Sequence, residues 1–176
     1  MTLIHTALLC EAQSFIEFYK LKKVNSKIYK NDDIIILISG VGKENTISTL
    51  DFMFINYDIK KAINIGVVGC NDKNIKIGEL FCTNRILKDI NHLLLKTVDK
   101  PQTISDIKNQ TLYDMEGKYF LDIASKYLNH DDIFIFKIVS DYLNSKRLKK
   151  DYIKSLIKKK IKEIKEYLHS SHKCNI

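Results

Sequence analysis

The feature that most constrains this chain is a run with almost nothing polar in it. Residues 34–39 read Ile-Ile-Ile-Leu-Ile-Ser, and Ala62 to Val68 and Ile133 to Val139 are runs of the same kind. A strand with one wet face alternates apolar and polar residues, whereas a strand apolar throughout is buried on both faces. Such strands need helices above and below them. The intervening segments supply these: Ala12 to Leu21, with Phe15, Phe18 and Tyr19 at helical spacing, and Lys43 to Ile55, with Ile47, Leu50 and Phe54 on one face. Met115 to Leu128 and a long terminal segment, Lys146 to Leu168, follow the same period. Leu3 to Leu9, Lys27 to Lys30 and Ile77 to Thr83 read as further strands, and 85–112, with Pro101, as a loop-rich connection. The alternation predicts one α/β domain over residues 1–176. Its architecture is a three-layer α/β/α sandwich around a central mixed, mainly parallel, twisted sheet. With one Pro and six Gly in 176 residues, linker-rich or low-complexity organisation is excluded.

The net charge of +8, from 29 basic and 21 acidic residues, raises nucleic acid or an anionic membrane as a partner. Its location argues otherwise. Residues 146–165 hold ten basic and two acidic side chains, the whole excess, and the rest of the chain is balanced at 19 against 19. The segment also carries an apolar seam of Ile153, Leu156, Ile157, Ile161, Ile164 and Leu168. A Lys-rich amphipathic helix with a solvated face is therefore expected, with neither nucleic acid nor membrane as partner. No stretch approaches the roughly 18 apolar residues of a membrane helix, and the first apolar run lacks the basic flank of a secretory signal. Cys10, Cys70, Cys82 and Cys174 form no CxxC pair, so reduced, buried thiols in a cytoplasmic protein are expected. His5 lies in a strand, His92 and His130 in or near loops, and His169 and His172 near the end, too few together for a metal site.

In sheets of this kind ligands gather beyond the carboxyl ends of the strands. Gly40-Val41-Gly42 follows one strand and precedes a helix; it reads equally as an anion loop or as a tight turn. Ser140-Asp141 closes the strand FIFKIVSD, where the acid is either a helix cap or a functional group. Glu11, after the first strand, has the same two readings. Two carboxylates at strand ends can face one pocket and divide general-acid and general-base work. Met115-Glu116 opens a helix, where Glu116 either favours the helix dipole or accepts hydrogen bonds from vicinal hydroxyls.

The order of these motifs resembles the nucleoside phosphorylase superfamily, most closely its methylthioadenosine/S-adenosylhomocysteine nucleosidases. The blocks are ALLCEAQSF (Ala7 to Phe15), ILISGVGKENT (Ile36 to Thr46), AINIGVVGCNDKNIKIGELFCTN (Ala62 to Asn84), and DMEGKYFLDIASKY with FIFKIVSDYLN between Asp114 and Asn144. The resemblance implies a phosphorylase-like fold and hydrolysis of the N-glycosidic bond of a purine nucleoside. Asp141 would protonate or hydrogen-bond the base, with Ser140 positioning it. Met115 would pack on the sugar, Glu116 would bind its hydroxyls, and Glu11 would activate water. Gly66 and Val67 would line the substrate, and Gly40 and Gly42 would form the loop. It implies no metal and no cofactor, and a homodimer.

The chain departs from the family in two places. Val67, Val68 and Cys70 stand where Ser or Thr is usual, which argues against a phosphate-dependent phosphorylase, the first alternative. The 85–112 connection is short, which favours a second alternative, a non-catalytic nucleoside-binding member. It also leaves the base-stacking residue unassigned, with Tyr113 at hand.

Overall fold

A computed structural model describes residues 1–105, 107–144 and 147–169. In chain order the elements are β1 (Thr2–Thr6), α1 (Leu9–Phe18), β2 (Lys22–Lys23), β3 (Ile28–Lys30), β4 (Ile34–Ile38), α2 (Lys43–Asn56), β5 (Lys61–Cys70), β6 (Leu80–Cys82), β7 (Asn91–His92), β8 (Leu95–Thr97), β9 (Leu112–Asp114), α3 (Gly117–Ala124), β10 (Ile133–Asp141) and α4 (Lys150–His169). The sheet order is β2-β3-β4-β1-β5-β10-β6-β7, with β9 on the end of β5 and β8 beside β9. Strands β4, β1, β5 and β10 are mutually parallel, and β6 and β3 flank them antiparallel. This is the mixed, mainly parallel sheet that the apolar runs predict.

The reason those runs have no polar face is visible in the packing. Ile4, Ile34, Ile36, Ile63, Ile65, Phe134 and Phe136 point to the side covered by Phe15 of α1 and by Ile157, Ile161 and Ile164 of α4. Their sequence neighbours Leu3, Ile35, Leu37, Ala62 and Ile135 point the other way, onto Leu50 and Met53 of α2 and Phe120 and Ile123 of α3. The α4 seam named from the sequence is buried, while Lys158, Lys159, Lys162 and Lys165 are exposed. No helix among the described residues is long and apolar enough to cross a membrane.

Several boundaries differ from expectation. Strand β1 stops at Thr6 and α1 begins at Leu9, so Leu8-Leu9 extend the apolar run without extending the strand. The strand expected over Ile77 to Thr83 is only Leu80–Cys82; Gly78, at φ +85°, turns the chain before it and leaves Ile77 exposed. The 85–112 connection holds two short strands, β7 and β8. Helix α3 is shorter than 115–128, and α4 starts at Lys150. Lys146, where the sequence places that start, lies outside the described residues, as do His172 and Cys174. Cys10, Cys70 and Cys82 are free and buried, and burial raises the pKa of each thiol.

The two faces of α4 give a direct test. Ile157→Ala is expected to lower unfolding stability by about 2–5 kcal/mol in urea titrations, because it empties a fully buried site. Lys158→Ala, on the solvated face, is expected to change it by less than about 0.5 kcal/mol.

Candidate active site

The carboxyl ends of β1, β5 and β10 open on a cavity of about 220 Å³. Each end delivers a carboxylate or the amide that holds one. Beyond β1 the chain turns through Ala7-Leu8 into α1, and Glu11 lies in that helix's first turn. Its Oε2 accepts the N–H groups of Ala7 (3.1 Å) and Leu8 (2.9 Å), which are otherwise free at a helix start. Its Oε1 accepts the Val67 N–H at 3.1 Å, from β5. A Cβ on Gly66 would stand 3.1 Å from that Oε1 and 3.5 Å from Lys137 Nζ, so glycine there makes room for both charged groups. Burial pushes the Glu11 carboxyl above the usual carboxylate range, against the pull of the three amides and of Lys137.

Glu116 immediately precedes α3, but it does not cap it. The Gly117 N–H goes instead to Asp114 Oδ2, at 2.7 Å. Glu116 Oε1 accepts the Gly42 N–H at 2.8 Å. Gly40 and Gly42 have φ of +94° and +93°, a region that favours glycine, and this conformation turns the Gly42 amide toward Glu116. The Gly42 amide is thus given to a carboxyl side chain of the protein itself. Burial raises the Glu116 pKa to about 7; Lys137 and the Gly42 amide hold it down, while Asp114 and Glu11 push it further up.

Asp141 is aimed by an irregularity in β10. The register with β5 shifts between Val139 and Asp141, placing Asp141 opposite Gly69. Ser140 Oγ donates to Asp141 Oδ2 at 2.8 Å, and the Asn144 N–H donates to Oδ1 at 3.0 Å. Among the described residues after Asp141 the next helix begins at Lys150, and Asp141 closes a turn by accepting the Asn144 N–H. Each carboxylate oxygen carries one protein donor and keeps room for a ligand.

Under these groups lies a pair that the sequence reading missed. Lys137 Nζ meets Asp114 Oδ2 at 2.7 Å, with side-chain exposures of 2% and 1%. Asp114 Oδ1 also accepts the Thr97 hydroxyl at 2.6 Å, which ties β8 to β9. The signal was present: a lysine inside the both-face-buried run Phe-Ile-Phe-Lys-Ile-Val needs a buried anion.

The cavity wall therefore includes Glu11, Val67, Met115, Glu116, Ser140 and Asp141. Of the other sequence candidates, Gly66 lies behind Glu11, and Gly40 and Gly42 flank Val41, which does reach the wall. Tyr113 is in the wall, its hydroxyl against Ser105 Oγ, and Pro101 and Gln102 enter from the 98–111 loop. Among the described residues, neither Lys nor Arg lines the cavity.

No protein-family model matches the chain, and no curated protein sequence matches it. Solved structures do. The 5′-methylthioadenosine/S-adenosylhomocysteine nucleosidase of Helicobacter pylori, with butyl-thio-DADMe-Immucillin-A, superposes with a TM-score of 0.78 at 13% identity, over 95% of this chain and 97% of that one. The corresponding nucleosidase (MTAN) of Chlamydia trachomatis bound to MTA gives 0.73 at 17% identity, over 96% and 95%. A futalosine hydrolase mutant of H. pylori gives 0.78 at 13% identity, over 95% and 97%. The chain thus has the fold of these nucleosidases over nearly its whole length.

Two predictions follow from the buried charges. Lys137→Met leaves Asp114 buried without its cation and is expected to cost about 3–5 kcal/mol in denaturant unfolding, most of it restored by adding Asp114→Asn. For Glu116 the folded pKa of about 7 stands above the ordinary 4.5. The stability given by its neutral form is complete below about pH 4.5 and is lost as pH rises through about 7. Glu116→Gln is therefore expected to raise Tm by roughly 7–13 °C at pH 8 and by only about 1 °C at pH 4.5, read by thermal melts.

Proposed function

We propose that this protein is a nucleosidase that hydrolyses the N-glycosidic bond of a purine nucleoside, of the methylthioadenosine or adenosylhomocysteine type or a relative of these. The observation that carries the proposal is the convergence of Glu11, Glu116 and Asp141 on one cavity. The fold adds support, since the similar structures are nucleosidases and a futalosine hydrolase.

The chemistry divides among the three acids. Asp141, positioned by Ser140, gives a proton to a ring nitrogen of the base as the bond from C1′ to the base breaks and its electron pair leaves with the base. Glu116 accepts hydrogen bonds from the sugar hydroxyls, and Met115 packs against the ring. A water attacks C1′ and its proton passes to Glu11. The raised pKa of Glu11 makes it a stronger base than an exposed carboxylate. The sugar is cation-like at the transition state, and the surrounding carboxylates favour that charge.

Water is favoured over phosphate as the nucleophile because, among the described residues, the cavity wall offers no Lys or Arg for a phosphate, and Val67 contributes a backbone amide already given to Glu11. The mouth is rimmed by exposed apolar side chains, Leu8 at 37% and Val41 at 44%, with Leu9 beside them at 49%. We assign this rim to the interface of a homodimer. The buried thiols fit a cytoplasmic location.

Incubation with methylthioadenosine, adenosylhomocysteine, adenosine and inosine is expected to release free base without phosphate. A strict phosphate requirement would make the protein a phosphorylase. Ligand-induced thermal stabilisation without product would make it a binding protein. Glu11→Gln and Asp141→Asn are each expected to lower kcat by about 10²–10⁴-fold. In the wild type kcat/KM is expected to fall as acid protonates Glu11, with a midpoint above the ordinary carboxylate range.

A further inference from the structure

His5 is fully buried near the carboxyl end of β1 and does not line the cavity. Its Nε2 lies 2.9 Å from Ser39 Oγ and its Nδ1 lies 2.7 Å from Asn64 Nδ2. Ser39 Oγ lies 2.7 Å from the Gly40 carbonyl oxygen and 3.4 Å from that of Thr6. A hydroxyl has one proton, and the short contact to Gly40 takes it. Ser39 must then accept from His5, so Nε2 carries the ring's proton and Nδ1 accepts from the Asn64 amide. The donors run in one direction, from Asn64 to His5 to Ser39 to Gly40. This order needs a neutral imidazole. Burial, reinforced by the nearby Lys137 charge, depresses the His5 pKa to about 3, so the ring is neutral at ordinary pH.

The ring also faces the opposite partner of the same contact. It stacks on Phe120 of α3, with centroids 5.5 Å apart and planes 23° apart. The Phe120 N–H donates to the Glu116 carbonyl at 2.9 Å, in the first turn of that helix. One side chain thus braces the loop that supplies the Gly42 amide and the helix start that supplies the Glu116 carboxylate.

We infer that His5 and Ser39 are positioning residues for Glu116. They hold the Gly42 amide and the Glu116 carboxylate in register, and through that contact they set how strongly the site selects a ligand with vicinal hydroxyls. The second half of the inference rests on the role proposed above for Glu116; the first half does not.

Ser39→Ala removes the relay with little change in volume. Hydrogen exchange at the Gly42 amide is expected to be at least about tenfold faster in this variant, with the β5 amides unchanged. The preference in kcat/KM for methylthioadenosine over its 2′-deoxy analogue is expected to drop about tenfold, mainly through KM. His5→Leu should behave in the same way. His5→Gln, which keeps a donor toward Ser39, should stay within about threefold of wild type on both measures. Unchanged Gly42 exchange in Ser39→Ala overturns the inference, whatever the substrate. Faster exchange with an unchanged hydroxyl preference overturns the link to ligand selection. If the wild type releases no base from any nucleoside, the nucleosidase reading fails, and the exchange result still decides whether the relay positions Glu116.

Discussion

The salt bridge between Lys137 and Asp114 is the contact on which the rest of the site depends. Both groups are almost wholly removed from water, and a buried ion pair of this kind survives only when every remaining donor and acceptor has a partner. Asp114 meets that condition by taking the Thr97 hydroxyl and the Gly117 amide as well as the ammonium. Those three contacts fasten β8, α3 and β10 to one carboxylate. Gly117 is part of the same arrangement, since a Cβ there would approach Asp114 Oδ2 to 2.8 Å. Glu116 sits between Asp114 and Gly117, so fixing the two of them fixes it as well.

The charge balance around this pair shapes the chemistry. Lys137 is the cation that acts on Glu11, Glu116 and His5, lowering the pKa of each. One ammonium faces three carboxyl groups, Asp114, Glu11 and Glu116, and it is in direct contact with the first. The other two are left with burial as the dominant influence, and both are pushed toward the neutral form. The result is one carboxyl poised near neutrality and a second made more basic, within a site that gains electrostatically when positive charge develops in it. In the reaction we propose, a nucleoside losing its base develops that charge at the sugar. The same features would hinder phosphate, an anion, from settling beside them.

The parts legible in the sequence were those that depend on local pattern. Ile34 to Ile38 announced a strand buried on both faces because nothing in it could face water. Glu11, Glu116 and Asp141 could be singled out because they follow such strands or open a helix. The boundary between β1 and α1 was not legible, because Leu8 and Leu9 extend the apolar run while Glu11, by taking the Ala7 and Leu8 amides, starts the helix earlier. The sequence showed that Lys137 needs a buried anion, but not that Asp114 supplies it, nor that either of them or His5 stands under the site, for a different reason. Their meaning comes from register: Lys137 lies beside Gly66, and His5 beside Asn64, on the α2/α3 face of the sheet. Pairing across strands far apart in sequence has no trace in the local period of any one strand.

Register also limits what the site asks of the sequence around it. Each of the three acids facing the cavity is held by a backbone amide from another segment or turn: Glu11 by Val67, Glu116 by Gly42 and Asp141 by Asn144. An amide is supplied by any residue except proline, so these contacts ask little of the side chains that provide them. What they require is that the strand ends lie in the right relation, together with glycine where a carboxylate crowds the Cβ position, as at Gly66, or where the loop takes a positive φ, as at Gly42. The demands on sequence are thereby concentrated in the acids themselves, in a few glycines, and in the buried lysine and histidine that brace them from below. The remaining positions are asked only to be apolar and to fill the two layers of the core, which chains of very different sequence can do.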